Sequence, residues 1–76
     1  MSAAAQKVES YLAALIGAHT ARVAVKTFSE KIGKRPDTLT QHDLPALAQS
    51  LHSMLKTLCG PVKADRALQD ISAMSV

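Results

Sequence analysis

The chain matches itself when it is shifted by 43 positions, so that residues 1–33 align with residues 44–76. An internal match at a fixed period is typical of repeated supersecondary units. The shared pattern has leucines three residues apart, then glycine, then alanines three residues apart, and it predicts a helix, a tight turn and a second helix. Identical residues occupy the pairs Ala3/Ala46, Ala5/Ala48, Gln6/Gln49, Ser10/Ser53, Leu12/Leu55, Leu15/Leu58, Gly17/Gly60, Ala21/Ala64, Ala24/Ala67 and Ser29/Ser72.

Two such hairpins fix the expected architecture. Neither hairpin can bury its apolar face alone, and two copies are too few for a solenoid, so packing one hairpin on the other is the economical solution. We therefore predict a single all-α domain over residues 1–76: a compact four-helix domain built from two duplicated helix-turn-helix hairpins with pseudo-twofold symmetry. Hairpin 1 covers about 1–33, the connector 34–43 and hairpin 2 about 44–76.

The first hairpin is predicted from a helical stripe and a glycine. The first helix runs from about Ala3 to Ile16, and Gly17 suits the left-handed position after a helix C-terminus. Thr20 is then the expected N-cap of a second helix that reaches Lys31. A continuous helix kinked at Gly17 is the alternative. The apolar stripes are Ala5, Val8, Leu12 and Leu15 in the first helix, and Ala21, Val25, Phe28 and Ile32 in the second.

The second hairpin has clearer start and stop signals. Thr40 and Asp43 have the spacing of a capping box, so either Thr40 starts a turn that bends at Pro45, or Asp43 caps a helix with Pro45 in its first turn. Gly60 and Pro61 end this helix and begin the last one. The predicted buried stripe comprises Leu44, Leu47, Ala48, Leu51, Leu55 and Leu58, continued by Ala64, Ala67, Leu68 and Ile71.

The single cysteine and the short apolar runs limit the cellular compartment in which we expect the protein to work. Cys59 aligns with Ile16, which predicts a small buried apolar residue, and one cysteine forms no internal disulfide. The run LAALIGA at 12–18 is far shorter than the ~20 residues that span a bilayer, and the N-terminus lacks a secretory pattern. We therefore expect a cytoplasmic protein that has no contact with a membrane.

No arrangement of residues points to catalysis. His19, His42 and His52 lack the spacing of a metal-ligand set, and we expect them to face solvent or cap helices. There are no paired carboxylates, no glycine-rich phosphate loop and no nucleophile beside a base in a recognisable context. The sequence therefore predicts a protein that is not an enzyme and that has no metal or cofactor.

The charge is uneven and leaves a DNA-binding interpretation open. Residues 1–35 have six basic and two acidic side chains, a net charge of +4, whereas residues 36–76 have three basic and four acidic ones, a net charge of −1. Ala13 and Gly17 have the spacing of a helix-turn-helix motif, and the next helix offers Arg22 and Lys26 to phosphates. The second copy departs from this pattern, because Lys56 stands where the small residue belongs.

The preferred interpretation is a small regulatory or adaptor-type module that binds a protein partner or forms a homodimer. It depends on the absence of a catalytic pattern, on the small core and on four apolar stripes, and a dimer would bury the surplus. Tyr11 and Met54 share a column of the repeat and are expected to form a symmetric exposed pair. A third interpretation is a part of a larger signalling protein. The candidate contact residues are Tyr11, Met54, Arg22, Lys26, Lys34 and Arg35.

Overall fold

The computed structural model describes residues 2–75 and confirms an all-α fold of four helices, with no β-strand in that range. Helix α1 pairs with α2, and α3 pairs with α4, across one-residue breaks in the helical backbone. The elements are α1 (Ala3–Ile16), α2 (Ala18–Lys31), a short 3-10 turn (Gln41–Asp43), α3 (Leu44–Cys59) and α4 (Pro61–Ser72).

The breaks between paired helices lie at two glycines with nearly the same backbone geometry. Gly17 has φ 89° and ψ 154°, and Gly60 has φ 88° and ψ 163°. The positive φ was expected, but the extended ψ places both glycines outside the left-handed helical region. Each reverses the chain in a single residue, so the kinked continuous helix is wrong. Thr20 is also not the N-cap, because α2 begins at Ala18 directly after Gly17.

The connector between the hairpins ends in a capping box and contributes one leucine to the core. Thr40 and Asp43 form the predicted capping box, in which the Thr40 N–H donates to Asp43 Oδ2 at 2.9 Å. This hydrogen bond is the main reason why the pKa of Asp43 is lowered. Each of the two alternatives at Pro45 is partly correct: Thr40 starts a short 3-10 turn, and α3 then begins after Asp43 with Pro45 in its first turn, although the Asp43 side chain does not cap α3. Leu39 is buried, which the sequence pattern did not predict.

One core joins all four helices and the connector. Its side chains are small or aliphatic, which allows close helix packing. The predicted burial of Leu58 is wrong, because this side chain is 54% exposed. Leu58 continues the apolar stripe into the last turn of α3, where no other element covers the stripe. Cys59 and Leu68 are half-buried. The buried residues are Ala4, Ala5, Val8, Leu12, Ala21, Ala24, Val25, Ser29, Leu39, Leu44, Leu47, Ala48, Leu51, Leu55, Ala64, Ala67 and Ile71.

Two further features of the whole molecule bear on function. The pseudo-twofold arrangement of the hairpins stays a prediction, although the two glycine turns share their geometry. Within residues 2–75, no helix has the length and apolar character that crossing a membrane would need.

Candidate functional site

The predicted exposed pair of Tyr11 and Met54 is not present. Both side chains are half-buried and pack against the core. The Tyr11 hydroxyl donates a hydrogen bond to Asp70 Oδ2 at 2.6 Å, which ties α1 to α4. Burial, followed by this hydrogen bond to a carboxylate, raises the pKa of Tyr11 to about 12. Tyr11 therefore has a structural contact that sequence reasoning did not foresee.

Tyr11 also lines an open groove between α1 and the C-terminal segment. The groove has a volume of about 540 Å³. Lys7 Nζ donates to the backbone carbonyl of Ser75 at 2.6 Å, which holds Ser75 beside α1. The lining side chains are a mixture of polar and apolar ones, and most of the accessible surface of the groove is apolar. They belong to Ala3, Gln6, Lys7, Ser10, Tyr11 and Met74.

The predicted basic contact residues divide between α2 and the connector. Arg22 and Lys26 are exposed one helical turn apart on α2, and Arg22 Nε lies 3.1 Å from Glu9 Oε1. Lys34 Nζ lies 4.0 Å from Asp43 Oδ1. Arg35 is exposed beyond the end of α2. Part of the positive charge of the first hairpin is thus compensated by neighbouring carboxylates, and only Arg22 and Lys26 share one helix surface.

The histidines give no sign of a metal site. His19 and His42 are exposed, as expected. His52 differs, because it is half-buried and its Nε2 lies 2.7 Å from Asp65 Oδ1, which links α3 to α4. Among residues 2–75, no group of three or more potential ligands could hold a metal ion.

The two most exposed large aliphatic side chains among residues 2–75 lie at the break between α3 and α4. Leu58 is 54% exposed and Val62 is 81% exposed, and Pro61 between them is exposed as well. We call these three residues the apolar turn. In the repeat, Leu58 aligns with Leu15, which is half-buried, and Val62 aligns with His19. The sequence holds a signal for this surface, because the two copies differ in polarity at the column of Val62.

Outside the apolar turn, exposed large aliphatic side chains do not cluster along the sequence. Val23 on α2 is the other large aliphatic side chain with high exposure in the described part of the chain, at 49%. Single exposed aliphatic residues are normal on protein surfaces, whereas neighbouring ones indicate contact sites. The apolar turn is therefore the best candidate site.

The fold and this surface define a class, a small all-α protein of four helices with an exposed apolar turn. Comparison of the chain with protein-family models, with curated proteins and with solved structures finds no match.

Proposed function

We propose that this protein is a non-enzymatic regulatory or adaptor-type module of the cytoplasm that binds another protein through the apolar turn. The observation that carries the proposal is the exposure of Leu58 and Val62 beside a core that is otherwise well covered. Aliphatic surface in contact with water is unfavourable by roughly 25 cal/mol for each Å², so covering it favours association. Self-association is one form of this proposal, and the partner is then a second copy.

The proposal also fits the position of the surface. The apolar turn lies where α3 ends and α4 begins, and its backbone is fixed by Gly60, whose N–H donates to the Lys56 carbonyl at 3.1 Å. A surface on rigid elements loses little conformational freedom when a partner binds. Leu58 and Val62 are thus presented by the ends of two packed helices.

Site-specific photo-crosslinking tests this proposal. A photoreactive amino acid replaces Val62, and in a matched variant it replaces Gln69, which is exposed on the same helix. Both variants are expressed in the cells that make the protein naturally. We expect a discrete covalent adduct from position 62 and little adduct from position 69.

The mass of the adduct then distinguishes the two forms of the proposal. An adduct of twice the chain mass indicates self-association, and any other discrete mass indicates a different protein. Equal labelling from both positions, or none from position 62, would contradict the proposal.

A second candidate function is DNA binding by the first hairpin. It is favoured by one observation: Arg22 and Lys26 are both exposed and lie one turn apart on α2. Phosphate contacts of this kind weaken steeply as salt rises. Fluorescence anisotropy of a labelled duplex at two salt concentrations tests it, and the variant with Arg22→Glu and Lys26→Glu should abolish binding without loss of helicity. If that variant binds as well as the parent, the DNA interpretation is wrong.

A further inference from the structure

The apolar turn is flanked by basic side chains that have no acidic partner in the described chain. Lys56 lies four residues before Gly60 and Lys63 three residues after it, and both are exposed. Within residues 2–75, neither forms an ion pair. The aligned residues of the first hairpin are Ala13 and Thr20. The second turn thus combines exposed aliphatic groups with two uncompensated positive charges, and the first turn has neither feature.

Most carboxylates of this chain already form an ion pair or accept a hydrogen bond within the chain. Glu9 pairs with Arg22, Asp65 with His52, and Asp43 accepts hydrogen bonds from Thr40. Asp70 accepts from Tyr11 and Arg66, and Asp37 also has a partner. Glu30, at the far end of α2, is the one acidic side chain without such a contact among residues 2–75. A second copy of this chain therefore offers little free negative charge to Lys56 and Lys63.

We infer that the apolar turn binds an acidic segment of a different protein, one in which aliphatic side chains alternate with carboxylates. The aliphatic side chains cover Leu58 and Val62, and the carboxylates pair with Lys56 and Lys63. Complementary charge at the rim of an apolar patch selects the partner, while the patch supplies most of the affinity. This inference rests on the proposed function and names the chemistry of its partner.

An anionic membrane also combines aliphatic groups with negative charge, but the structure favours a protein segment. The apolar face of α4, formed by Ala64, Ala67 and Ile71, is buried in the core and is not available for insertion between lipids. Stable attachment to a membrane needs a long apolar helix face or a large basic cluster. The apolar turn has three apolar residues and is flanked by two lysines, which suits a short peptide.

A binding assay with synthetic peptides tests the inference. The probe is a short fluorescein-labelled peptide with leucines separated by pairs of glutamates. One control peptide has lysines in place of the glutamates, and another has serines in place of the leucines. We expect the acidic leucine peptide to bind the full chain at least tenfold more tightly than either control, as measured by fluorescence anisotropy.

Variants of the protein locate the binding. The double variant Leu58→Gln with Val62→Thr should weaken the complex about tenfold, because the apolar contact is lost. The double variant Lys56→Gln with Lys63→Gln should weaken it about fivefold. The matched controls Val23→Thr and Lys26→Gln change the same residue types on α2 and should leave affinity within a factor of two. Circular dichroism verifies that each variant keeps its helices.

Each contrary outcome has a distinct meaning. Equal binding of the acidic and basic peptides overturns the inference, as does equal weakening by the α2 controls. Tighter binding to vesicles that contain phosphatidylserine, with the same dependence on Leu58 and Val62, overturns it in favour of a membrane. If the acidic peptide fails but position 62 still crosslinks to one protein, the inference is wrong and the proposed function stands. If both fail, both are wrong.

Discussion

Ser29 shows how a single buried atom can limit stability. Its side chain is completely buried on α2, and its hydroxyl has no hydrogen-bond partner in the described part of the chain. A buried polar group without a partner costs about 1–3 kcal/mol. We predict that Ser29→Ala raises the free energy of unfolding by about 1 kcal/mol or more, because it removes this cost. Chemical denaturation measures the change.

The control for Ser29 is Ser53, which is exposed in the middle of α3. Ser53→Ala gains only the better helix propensity of alanine, about 0.5 kcal/mol. A Ser29 variant that gains no more than the Ser53 variant would show that the buried hydroxyl finds a partner in solution.

Tyr11 should lose its contribution to stability in strong alkali. Its hydroxyl donates to Asp70 across 59 positions of sequence, so we expect Tyr11→Phe to lower the free energy of unfolding by about 1 kcal/mol at neutral pH. Its pKa rises from 10.0 to about 12 in the folded chain. A group with a raised pKa stabilises the fold fully below its unfolded pKa, and the effect disappears as the pH passes through the folded one.

The measurement is the difference in unfolding free energy between the parent and Tyr11→Phe as the pH is raised. The difference should be constant up to about pH 10 and then shrink towards pH 12. Taking the difference cancels the titration of the lysines, which both proteins share. A difference that does not change with pH would contradict the Tyr11–Asp70 contact.

Periodicity predicted most of the core at the residue scale, but two leucines were misjudged. It placed Leu58 on the buried face because its spacing from Leu55 continues the stripe. Spacing tells which face a residue lies on, whereas burial also needs a neighbouring element that reaches that point. Leu39 was missed for the opposite reason, since it lies in a connector without periodicity and is buried by tertiary packing.

At the scale of elements, the breaks between paired helices depend on one glycine each. Gly60 has φ 88° and ψ 163°, a region that L-residues avoid, and a Cβ there would meet no atom within 4 Å. We therefore predict that Gly60→Ala lowers the free energy of unfolding by about 1–3 kcal/mol through backbone strain alone. Thermal or chemical denaturation gives the value.

A D-alanine at the same position provides the matched control, because a D-residue favours positive φ. Introduced by chemical synthesis, it should restore most of the stability lost in Gly60→Ala. Equal destabilisation by both alanines would mean that crowding at the turn, and not the backbone conformation, is responsible.

Glycine and proline made the helix boundaries predictable. The ends of α1 and α3 lie beside Gly17 and Gly60, and α4 begins at Pro61, as the sequence indicated. The start of α2 was missed by two residues, because Thr20 looks like a cap. Only the geometry of Gly17 shows that the chain reverses without a separate capping residue.

At the scale of the whole molecule, one core predicts one cooperative transition. Buried residues from all four helices and from the connector form a single cluster. A domain of this size with one core usually unfolds in a two-state manner. Tyr11 is the only tyrosine and the chain has no tryptophan, so its fluorescence reports the contact between α1 and α4.

Circular dichroism reports the helices of both hairpins in the same denaturation experiment. We predict that the fluorescence and dichroism curves coincide. Two separate transitions would show that the hairpins unfold independently and that the shared core contributes little.

The candidate site was less predictable than the fold. Of the expected contact residues, Tyr11 and Met54 pack against the core, Arg22 and Lys34 have acidic neighbours, and the apolar turn was not foreseen. Function depends on which surfaces remain uncovered after packing, and a single sequence does not show this. The difference in polarity between Val62 and its aligned residue His19 is a sequence signal that points to the apolar turn.

We propose that the apolar turn, and not the basic surface of α2, faces the partner. The most direct test is to titrate the isotope-labelled protein with the acidic leucine peptide and to follow the backbone amide resonances by NMR. We expect shifts concentrated in residues 56–63, with the amides of Arg22 and Lys26 unaffected. Shifts centred on α2, or shifts spread evenly over the molecule, would contradict it.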